Sequence, residues 1–307
     1  GGPVIVSRRK HGAALIMVLW TVKALSLVVL AGSRGARQHT QRVALELDRM
    51  RAQVVLDGAL QLVAGNMITD KALTRSYRRL QMRLGDVDAW VEVVPSSGLI
   101  DINVVQPELL QVLFQRVGGL TAGEATALAA RIHDFIDPDD VPSPLGGAEL
   151  AQYRAAGSNV VPRNAGIEDL SELKLVLGMT PELYEIIVPF LGINGQQRIA
   201  LYSAPPALID ALSGHHGLGA RLQASPPELR GGMLEPGITT ELFSTMPAGG
   251  GDQTIRLRAF VQTRDQRWWQ RQVWLDLHPT LGSITPWTTR AVEPTRRINK
   301  PEQELNP

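Results

Sequence analysis

The sequence predicts an α+β protein in which a long amino-terminal helix packs on an antiparallel sheet, with a large all-α segment inserted between strands. Three observations support this fold class. An apolar run, Ala13–Leu30, continues directly into an amphipathic helical pattern. Alternating strand patterns occur at Trp90–Val94 and again at Thr254–Leu277. Between them the chain is rich in helical patterns broken by glycine and proline.

The amino-terminal segment has the features of a membrane helix. Basic residues precede the apolar run, which at about 1.5 Å per residue nearly spans a ~30 Å hydrocarbon core. Their position predicts that the start lies in the cytoplasm and the rest outside. An ordinary signal peptide and an uncleaved anchor remain alternatives, although Ala31-Gly32-Ser33 is a poor signal-peptidase site. Lys23 interrupts the apolar run.

The helical pattern continues beyond this run. Val43, Leu47, Met50 and Val54 follow helical spacing, and Leu56, Leu60 and Val63 extend the pattern. One helix over Ala13–Ala64 would be about 75 Å long. We expect its first half to lie in lipid and its second half on a globular domain, with the Val43–Val54 residues partly packed on that domain.

The strand patterns form the rest of the predicted scaffold. The Trp90–Val94 strand ends at Pro95, and the later pair forms a hairpin with a polar turn at Arg264–Arg267. Trp268, Trp269 and Trp274 adjoin arginines; such rings can stack nucleic-acid bases, but cross-strand core packing is favoured. The chain is expected to be strand-like from Arg221 and disordered from Pro294.

Three similar stretches occur in the inserted segment: Val117–Ile132, Leu177–Leu191 and Tyr202–Leu212. The first has a glycine turn, a threonine cap and an apolar helix, and the second repeats this with Thr180 as cap and proline at the first helical position. The third repeats the cap, proline and helix. They resemble helix-hairpin-helix elements, which grip DNA phosphates in many proteins. Because Arg116 is the only base close to the first turn, compact helix pairs are favoured. The alternative is a DNA-binding pilus-tip or DNA-uptake protein that uses these elements, which sharply salt-dependent DNA binding would reveal.

An acidic cluster is the main candidate site. Asp134 and Asp137 share a helix face, and Pro138 ends the helix and places Asp139 and Asp140 in a loop. Glu149 begins the next element. Carboxylates this close repel one another unless a cation or helix-start amides offset their charge. The pattern is consistent either with an oxygen-liganded cation or with capping and solvation, and its spacing is not that of an EF-hand.

Composition and motifs favour a structural or binding role. The 307 residues include 31 Lys+Arg and 30 Asp+Glu, so the net charge of +1 provides no whole-chain attraction to nucleic acid. No cysteine is present, which excludes disulfide and thiolate chemistry. No hydrolase, metalloprotease, Walker A or dinucleotide-binding motif occurs. A membrane-anchored hydrolase that uses the acidic cluster is an alternative, which turnover would reveal. The His215-His216 pair is interpreted as a chance exposed pair.

The stretch "SRRKHGAALIMVLW" resembles the start of a type IV prepilin. The resemblance implies that the prepilin peptidase cuts between Gly12 and Ala13 and that Ala13 is then methylated. Most pilins have glutamate as the fifth mature residue, where this chain has Met17. That departure resembles the K-type minor pseudopilins of type II secretion systems. Further segments similar to that family are Gly98–Leu110, Ile132–Tyr153 and Pro162–Leu191, with a weaker likeness at Ile199–Pro205.

The resemblance implies a non-enzymatic minor pseudopilin at the pseudopilus tip, which initiates or caps assembly and supports export of folded proteins across the outer membrane. Its implied location is the bacterial inner membrane, single pass, with the globular part in the periplasm. The implied partners are the I-type and J-type minor pseudopilins, the major pseudopilin and the inner-membrane assembly platform; nucleic acid is not an expected partner. An apolar Met17 suits a tip subunit, since no neighbour above would pair a buried carboxylate.

The resemblance also implies that calcium occupies the acidic cluster. Asp137, Asp139 and Glu149 are then the main ligands, and Asp134 and Asp140 support them. The predicted domains are a leader (1–12), the long helix (13–64), a first part of a pilin-like scaffold (65–98), the inserted helical segment (99–212), scaffold strands (213–293) and a tail (294–307).

Overall fold

The computed structural model describes residues 10–234, 242–245, 254–278 and 281–301. A long helix covers one face of a six-stranded antiparallel sheet, and short helices fill the segment between two of its strands, which confirms the predicted α+β class. The helices are α1 (Lys10–Thr69), α2 (Pro107–Arg116), α3 (Ala122–Ile136), α4 (Leu150–Ala155), α5 (Pro181–Ile187), α6 (Pro206–Ser213), α7 (Leu218–Ala224) and α8 (Pro227–Arg230). The strands are β1 (Arg78–Leu84), β2 (Val87–Pro95), β3 (Ile100–Asp101), β4 (Leu191–Gly192), β5 (Ile199–Ala200), β6 (Phe243–Ser244), β7 (Thr254–Gln262), β8 (Trp268–Asp276), β9 (Thr288–Val292) and β10 (Arg296–Ile298).

The main sheet has the order β1-β2-β7-β8-β10, and β9 also pairs with β8. Strands β2 and β7 are far apart in sequence but pair directly, with Pro95 opposite Ile255. The chain therefore leaves the sheet and returns to it at one end. The described residues between these points form a separate unit, which we call the helical domain (residues 99–234 and 242–245). The scaffold is the sheet with the part of α1 that packs on it.

Helix α1 is continuous over 60 residues, about 90 Å, and extends past both predicted ends. Its carboxyl-terminal half packs on the sheet. The buried positions on this face alternate between small and large side chains: Ala52, Leu56, Ala59, Leu60, Val63, Ala64 and Met67. They meet strand residues such as Val91 and Leu257 in one apolar core. The small side chains let the helix backbone approach the sheet closely.

The expected packing of the upstream apolar residues is wrong. Val43, Leu47, Met50 and Val54 are 46%, 49%, 56% and 74% exposed, and we call them the exposed stripe. The stripe and the buried face are two apolar faces of one helix, because Val54 and Leu56 lie about 200° apart around its axis. The sheet can cover only one of them. The sequence analysis had assigned the residues of both faces to one continuing pattern.

A buried aspartate fixes α1 to the end of the β7–β8 hairpin. Asp48 accepts hydrogen bonds from Trp269 Nε1 at 2.9 Å and from Thr263 Oγ1 at 3.0 Å. Thr263 follows the last residue of β7. The helical domain joins the sheet at the other end of this strand, next to Thr254. The helical domain is therefore attached at the end of the sheet remote from Asp48 and from the apolar half of α1.

The other face of the sheet buries a carboxylate among arginines. Glu92 lies 2.7 Å from Arg258 Nη2, 3.6 Å from Arg256 Nη2 and 3.7 Å from Arg79 Nη2. Burial alone would raise the pKa of Glu92, but Arg258, Arg256 and Arg79 lower it to about 2. Arg256, only 1% exposed, also donates to the carbonyl of Pro189 at 2.6 Å. This cluster joins the sheet to the helical domain.

The tryptophans of the sheet pack within the scaffold, and among the described residues one pair of their rings is in contact. The rings of Trp90 and Trp268 lie 5.5 Å apart at 45°, and both Trp268 and Trp269 are buried. Trp274 lies beside the Arg256 guanidinium, with 5.9 Å between the guanidinium carbon and the ring centroid. These rings are committed to the scaffold.

The helical domain extends beyond the predicted boundary at Leu212. Gly214 and Gly217 adopt left-handed backbone angles (φ 73° and 80°), which lets the chain turn tightly from α6 into α7. Leu218 and Leu222 of α7 then join the same apolar core as α6. The expectation of strand structure from Arg221 is therefore wrong, because these glycines make a helix–helix turn. Apart from the short β6, strand structure in the described residues resumes at Thr254.

The predicted disordered tail is wrong at its start. Arg296–Ile298 forms β10 and pairs with Trp268–Gln270 of β8. Thr295 is buried and donates to Gln53 Oε1 of α1. The polar composition hid this strand because it lies at a sheet edge, where exposed charged side chains are normal. Residues 302–307 lie outside the described residues.

The predicted threonine caps of α3 and α5 are confirmed, but the predicted cap of α6 is wrong, because its N-cap residue is Pro205 and no side chain caps it. The hairpins are compact helix pairs. Thr121 and Glu124 form a capping box at the start of α3, and Thr180 Oγ1 accepts from the Leu183 amide at the start of α5. Arg116, the base nearest the first glycine turn, donates to the carbonyl of Leu212 at 2.5 Å. Its guanidinium links α2 to the end of α6.

Candidate metal centre

The acidic cluster lies where α3 ends and α4 begins. Asp134 occupies the last turn of α3 and is fully buried, whereas Asp137 is the residue at which the helix stops. Pro138 follows and prevents another helical turn. The chain then forms a loop, residues 137–149, which we call the acidic loop. Glu149 is the N-cap residue of α4 and brings the far end of this loop back to α3.

The structure brings together the three predicted main ligands. One carboxylate oxygen from each of Asp137, Asp139 and Glu149 lies within 4.8 Å of the other two. Calcium binds six to eight oxygens at 2.3–2.6 Å, so two oxygens on one ion lie up to about 5 Å apart. The three carboxylates can therefore contact a single cation. Loop carbonyls and water would have to complete its coordination.

Glu149 provides the second indication of a ligand. Its side chain is 3% exposed and faces the Gln152 amide in a capping arrangement, but neither of its buried carboxylate oxygens makes a hydrogen bond of ordinary geometry among the described residues. One oxygen of Asp137, Oδ1, is in the same situation. Buried carboxylates without partners are costly, and native proteins rarely keep them. These unsatisfied oxygens fit a cation that binds between them.

The electrostatics of the cluster agree with this. Burial raises the pKa of Glu149, and the nearby Asp134, Asp137, Asp140 and Asp139 raise it further, to about 7. The pKa of Asp137 is also raised, first by burial and then by Asp139. Within the described residues, no lysine or arginine forms a salt bridge with any of these carboxylates. A bound cation would remove the repulsion and lower both pKa values.

The two predicted supporting residues hold the loop in place. Asp134 accepts hydrogen bonds from the amide of Ser143, at 2.9 Å, and from its hydroxyl. Asp140 Oδ1 accepts from Asn164 Nδ2 at 3.2 Å. A side chain on Gly147 would collide with both Asp134 and Ser143, so glycine is required at that close approach. Asp134 and Asp140 therefore shape the acidic loop rather than complete the group of three.

The sequence analysis missed one neighbouring side chain. His133 Nδ1 lies 3.1 Å from Asp137 Oδ2 and 3.9 Å from Asp134 Oδ1. The available signal was its spacing, since a residue four positions before Asp137 shares its helix face. A surface cleft of about 550 Å³ also opens beside Glu149, lined by residues that include Asp140, Pro142, Leu150 and Arg154. This cleft gives solvent and ions access to the loop.

The predicted processing site lies at the start of α1. Gly12 and Ala13 are in its first turns, and residues 1–9 of the predicted leader lie outside the described residues. Cleavage between them stays a prediction. Within the described residues, one helix, Ile16–Thr69, is long and apolar enough to cross a membrane. The described side chains of its apolar half, from Ile16 to Leu30, are all exposed.

Part of the helical domain is similar to a known protein family. Residues 93–194 match the family model described as type II secretion system (T2SS), protein K. Type II secretion system protein K of Klebsiella pneumoniae is 23% identical over 207 residues, which cover 61% of this chain. The match spans 63% of that relative's length.

One solved structure is also similar. It is the GspK-GspI-GspJ complex of the type 2 secretion system of enterotoxigenic Escherichia coli, with 18% identity and a TM-score of 0.49, covering 82% of this chain and 100% of the matched one. The family match contains α2 to α5 and the whole acidic loop. Residues 93–194 of this chain are thus similar to the type II secretion system protein K family.

Proposed function

We propose that this protein is a K-type minor pseudopilin that sits at the tip of a type II secretion pseudopilus and initiates or caps its assembly. In that role it supports export of folded proteins across the outer membrane and has no catalytic activity. The observation that carries the proposal is the position of the matched domain. It is attached at the end of the scaffold remote from the apolar half of α1. A domain in this position leaves the apolar half of α1 free to contact other helices. It also covers the opposite end of the scaffold, where a further subunit would otherwise stack.

The apolar half of α1 would anchor the protein in the inner membrane. Its side chains, Ile16 to Leu30, are exposed and mostly apolar, as lipid contact requires. The basic residues before it favour a cytoplasmic start, so the scaffold and helical domain would lie in the periplasm. Processing by the prepilin peptidase between Gly12 and Ala13, followed by methylation of Ala13, belongs to this proposal.

The exposed stripe would bind the other pseudopilins. Its members are spaced by four, three and four residues, the spacing at which apolar side chains form a seam between two helices. The proposed occupants are helices of the I-type and J-type minor pseudopilins, and the major pseudopilin below them. Assembly would begin on the inner-membrane platform. The name of the E. coli complex places GspI and GspJ with its own K protein, which supports this choice of partners.

We include calcium in the proposal as a structural ion of the acidic loop. Asp137, Asp139 and Glu149 would hold it, and Asp134 and Asp140 would keep the loop in shape. When bound, the ion would neutralise buried charge and fix α3 against α4. It would serve the rigidity of the tip domain, since no substrate-binding group converges on it among the described residues.

Imaging pseudopili tests the tip position. Excess wild-type protein should shorten pseudopili by capping them, and its loss should lengthen them. The control variant replaces residues 96–254 by a short Gly/Ser turn, which is feasible because Pro95 and Ile255 are paired neighbours. All six tryptophans remain in this variant, so their fluorescence reports whether the scaffold is folded. If labelled wild-type protein appears at regular internal positions along the shaft, the tip proposal is wrong.

A further inference from the structure

Three polar side chains lie within the apolar half of α1, and two of them form hydrogen bonds within the helix. Thr21 Oγ1 donates to the carbonyls of Met17 and Val18, at 3.0 and 2.9 Å. Ser26 Oγ donates to the carbonyl of Val22 at 2.8 Å. Both are satisfied by their own helix. Lys23 lies between them, is exposed, and forms no hydrogen bond or ion pair with any described residue.

If α1 spans a bilayer, Lys23 lies so deep that an unpaired ammonium group there is unfavourable. The nearest basic residues on either side are Lys10 and Arg34, so Lys23 lies close to the middle of the uncharged stretch. The edge of a ~30 Å hydrocarbon core is then about 10–15 Å away along the helix. A lysine side chain reaches only roughly 6 Å by snorkelling. The ammonium group therefore stays in the hydrocarbon region unless another group meets it there.

We propose that Lys23 binds a carboxylate carried by a neighbouring transmembrane helix at the same depth. Ionisable side chains inside a membrane usually face a protein partner of opposite charge. Trp20 and Leu27, three residues before and four residues after Lys23, lie on the same side of α1 and are both exposed. They can pack around the ion pair and exclude water and lipid headgroups. The partner is thus a helix with an Asp or Glu near the centre of its apolar segment.

This contact is separate from the one proposed for the exposed stripe. Lys23 and Met50 are about 7.5 helical turns apart, which places them on opposite sides of a straight helix. One neighbouring helix cannot lie along both positions at once without wrapping around α1. The inference rests on the proposed membrane insertion of α1, but not on the identity of the pseudopilin partners or on the tip position.

The test uses the full chain in phospholipid vesicles with designed polyleucine transmembrane helices as probes. The probes carry a central Glu, Lys or Leu, and association is measured by energy transfer between dyes on probe and protein. The Glu probe should associate about threefold to thirtyfold more strongly than the Leu probe. Lys23→Leu should abolish that preference. Lys23→Glu should reverse it toward a probe with central Lys.

Two outcomes would overturn the inference. Equal association of the Glu and Leu probes with the inserted wild-type chain means that Lys23 snorkels or is tolerated alone. Loss of the protein from vesicles after an alkaline wash means that α1 does not anchor it, and the membrane part of the proposed function then fails as well. The wash is done first, so the two failures are distinguishable.

Discussion

A buried glutamate of the scaffold and one of the helical domain have opposite electrostatic surroundings. In the scaffold, Glu92 is surrounded by three arginines, which lower its pKa to about 2. In the helical domain, burial and neighbouring aspartates raise the pKa of Glu149 to about 7. The scaffold thus supplies more positive charge than its buried acid needs, and the acidic loop supplies none. Glu92 of the scaffold is therefore neutralised by its own neighbours, whereas Glu149 of the helical domain has only acidic neighbours and no Lys or Arg salt bridge among the described residues.

The largest expected effect comes from removing the scaffold's acid. Glu92→Gln should lower the free energy of unfolding by about 3–5 kcal/mol, because the buried Arg256 loses its counter-charge. Urea unfolding of detergent-solubilised protein, followed by tryptophan fluorescence, measures this. The matched control is Asp88→Asn in the exposed Arg83–Asp88 pair, which should cost less than about 1 kcal/mol. Similar small losses in both variants would show that the arginines do not depend on Glu92.

Calcium should act on the helical domain alone. If the ion binds only the folded state, a free concentration 100 times its dissociation constant stabilises that domain by about 2.7 kcal/mol. Hydrogen exchange should slow in peptides from α3 and α4 and stay unchanged in those from β7 and β8. Asp139→Asn should remove the effect. Exchange rates that are the same in calcium and in chelator would rule out a specific site.

The two regions should also respond to pH in opposite directions. Without calcium, the pKa of Glu149 is higher in the folded than in the unfolded protein. Its contribution to the free energy of unfolding is therefore fully present below its unfolded pKa and is lost as pH rises through about 7. The lowered pKa of Glu92 means that its contribution is present above its unfolded pKa and is lost as pH falls toward 2. Glu149→Gln should stabilise the calcium-free helical domain at pH 8 by about 3 kcal/mol. Hydrogen exchange of the helical domain at pH 6 and pH 8 checks this. If the loss of stability between pH 6 and pH 8 is the same in Glu149→Gln as in the wild type, the prediction is wrong.

The smallest effect on stability should come from the exposed stripe. Leu47→Gln should change the free energy of unfolding by less than about 0.5 kcal/mol, because Leu47 is already exposed. Its buried counterpart Leu56→Ala should cost about 2–5 kcal/mol. Leu47→Gln should nevertheless reduce co-purification with the other minor pseudopilins. Normal co-purification would mean that the stripe is not their binding surface.

Much of the candidate site was predictable because its signals are local. Asp137, Asp139 and Glu149 flank a proline-terminated helix and a short loop, so their sequence spacing already limits their distances in space. His133 was missed although it obeys the same helical spacing, because a single histidine is a weak signal on its own. The absence of partners for the Glu149 oxygens could not be predicted, since it depends on every side chain that surrounds them.

The sequence by itself determined the elements whose cause is local: the long α1, the caps at Thr121 and Thr180, the β7–β8 hairpin and the acidic loop. Tertiary structure alone decided which of the two apolar faces of α1 is buried, that Gly214 and Gly217 turn one helix into another, and that Arg296–Ile298 completes the sheet. It also decided that Glu92 meets arginines from β1 and β7. The physical reason is the range of the interactions. Caps and periodicity act within a few residues, but burial and charge pairing depend on segments that only folding brings together.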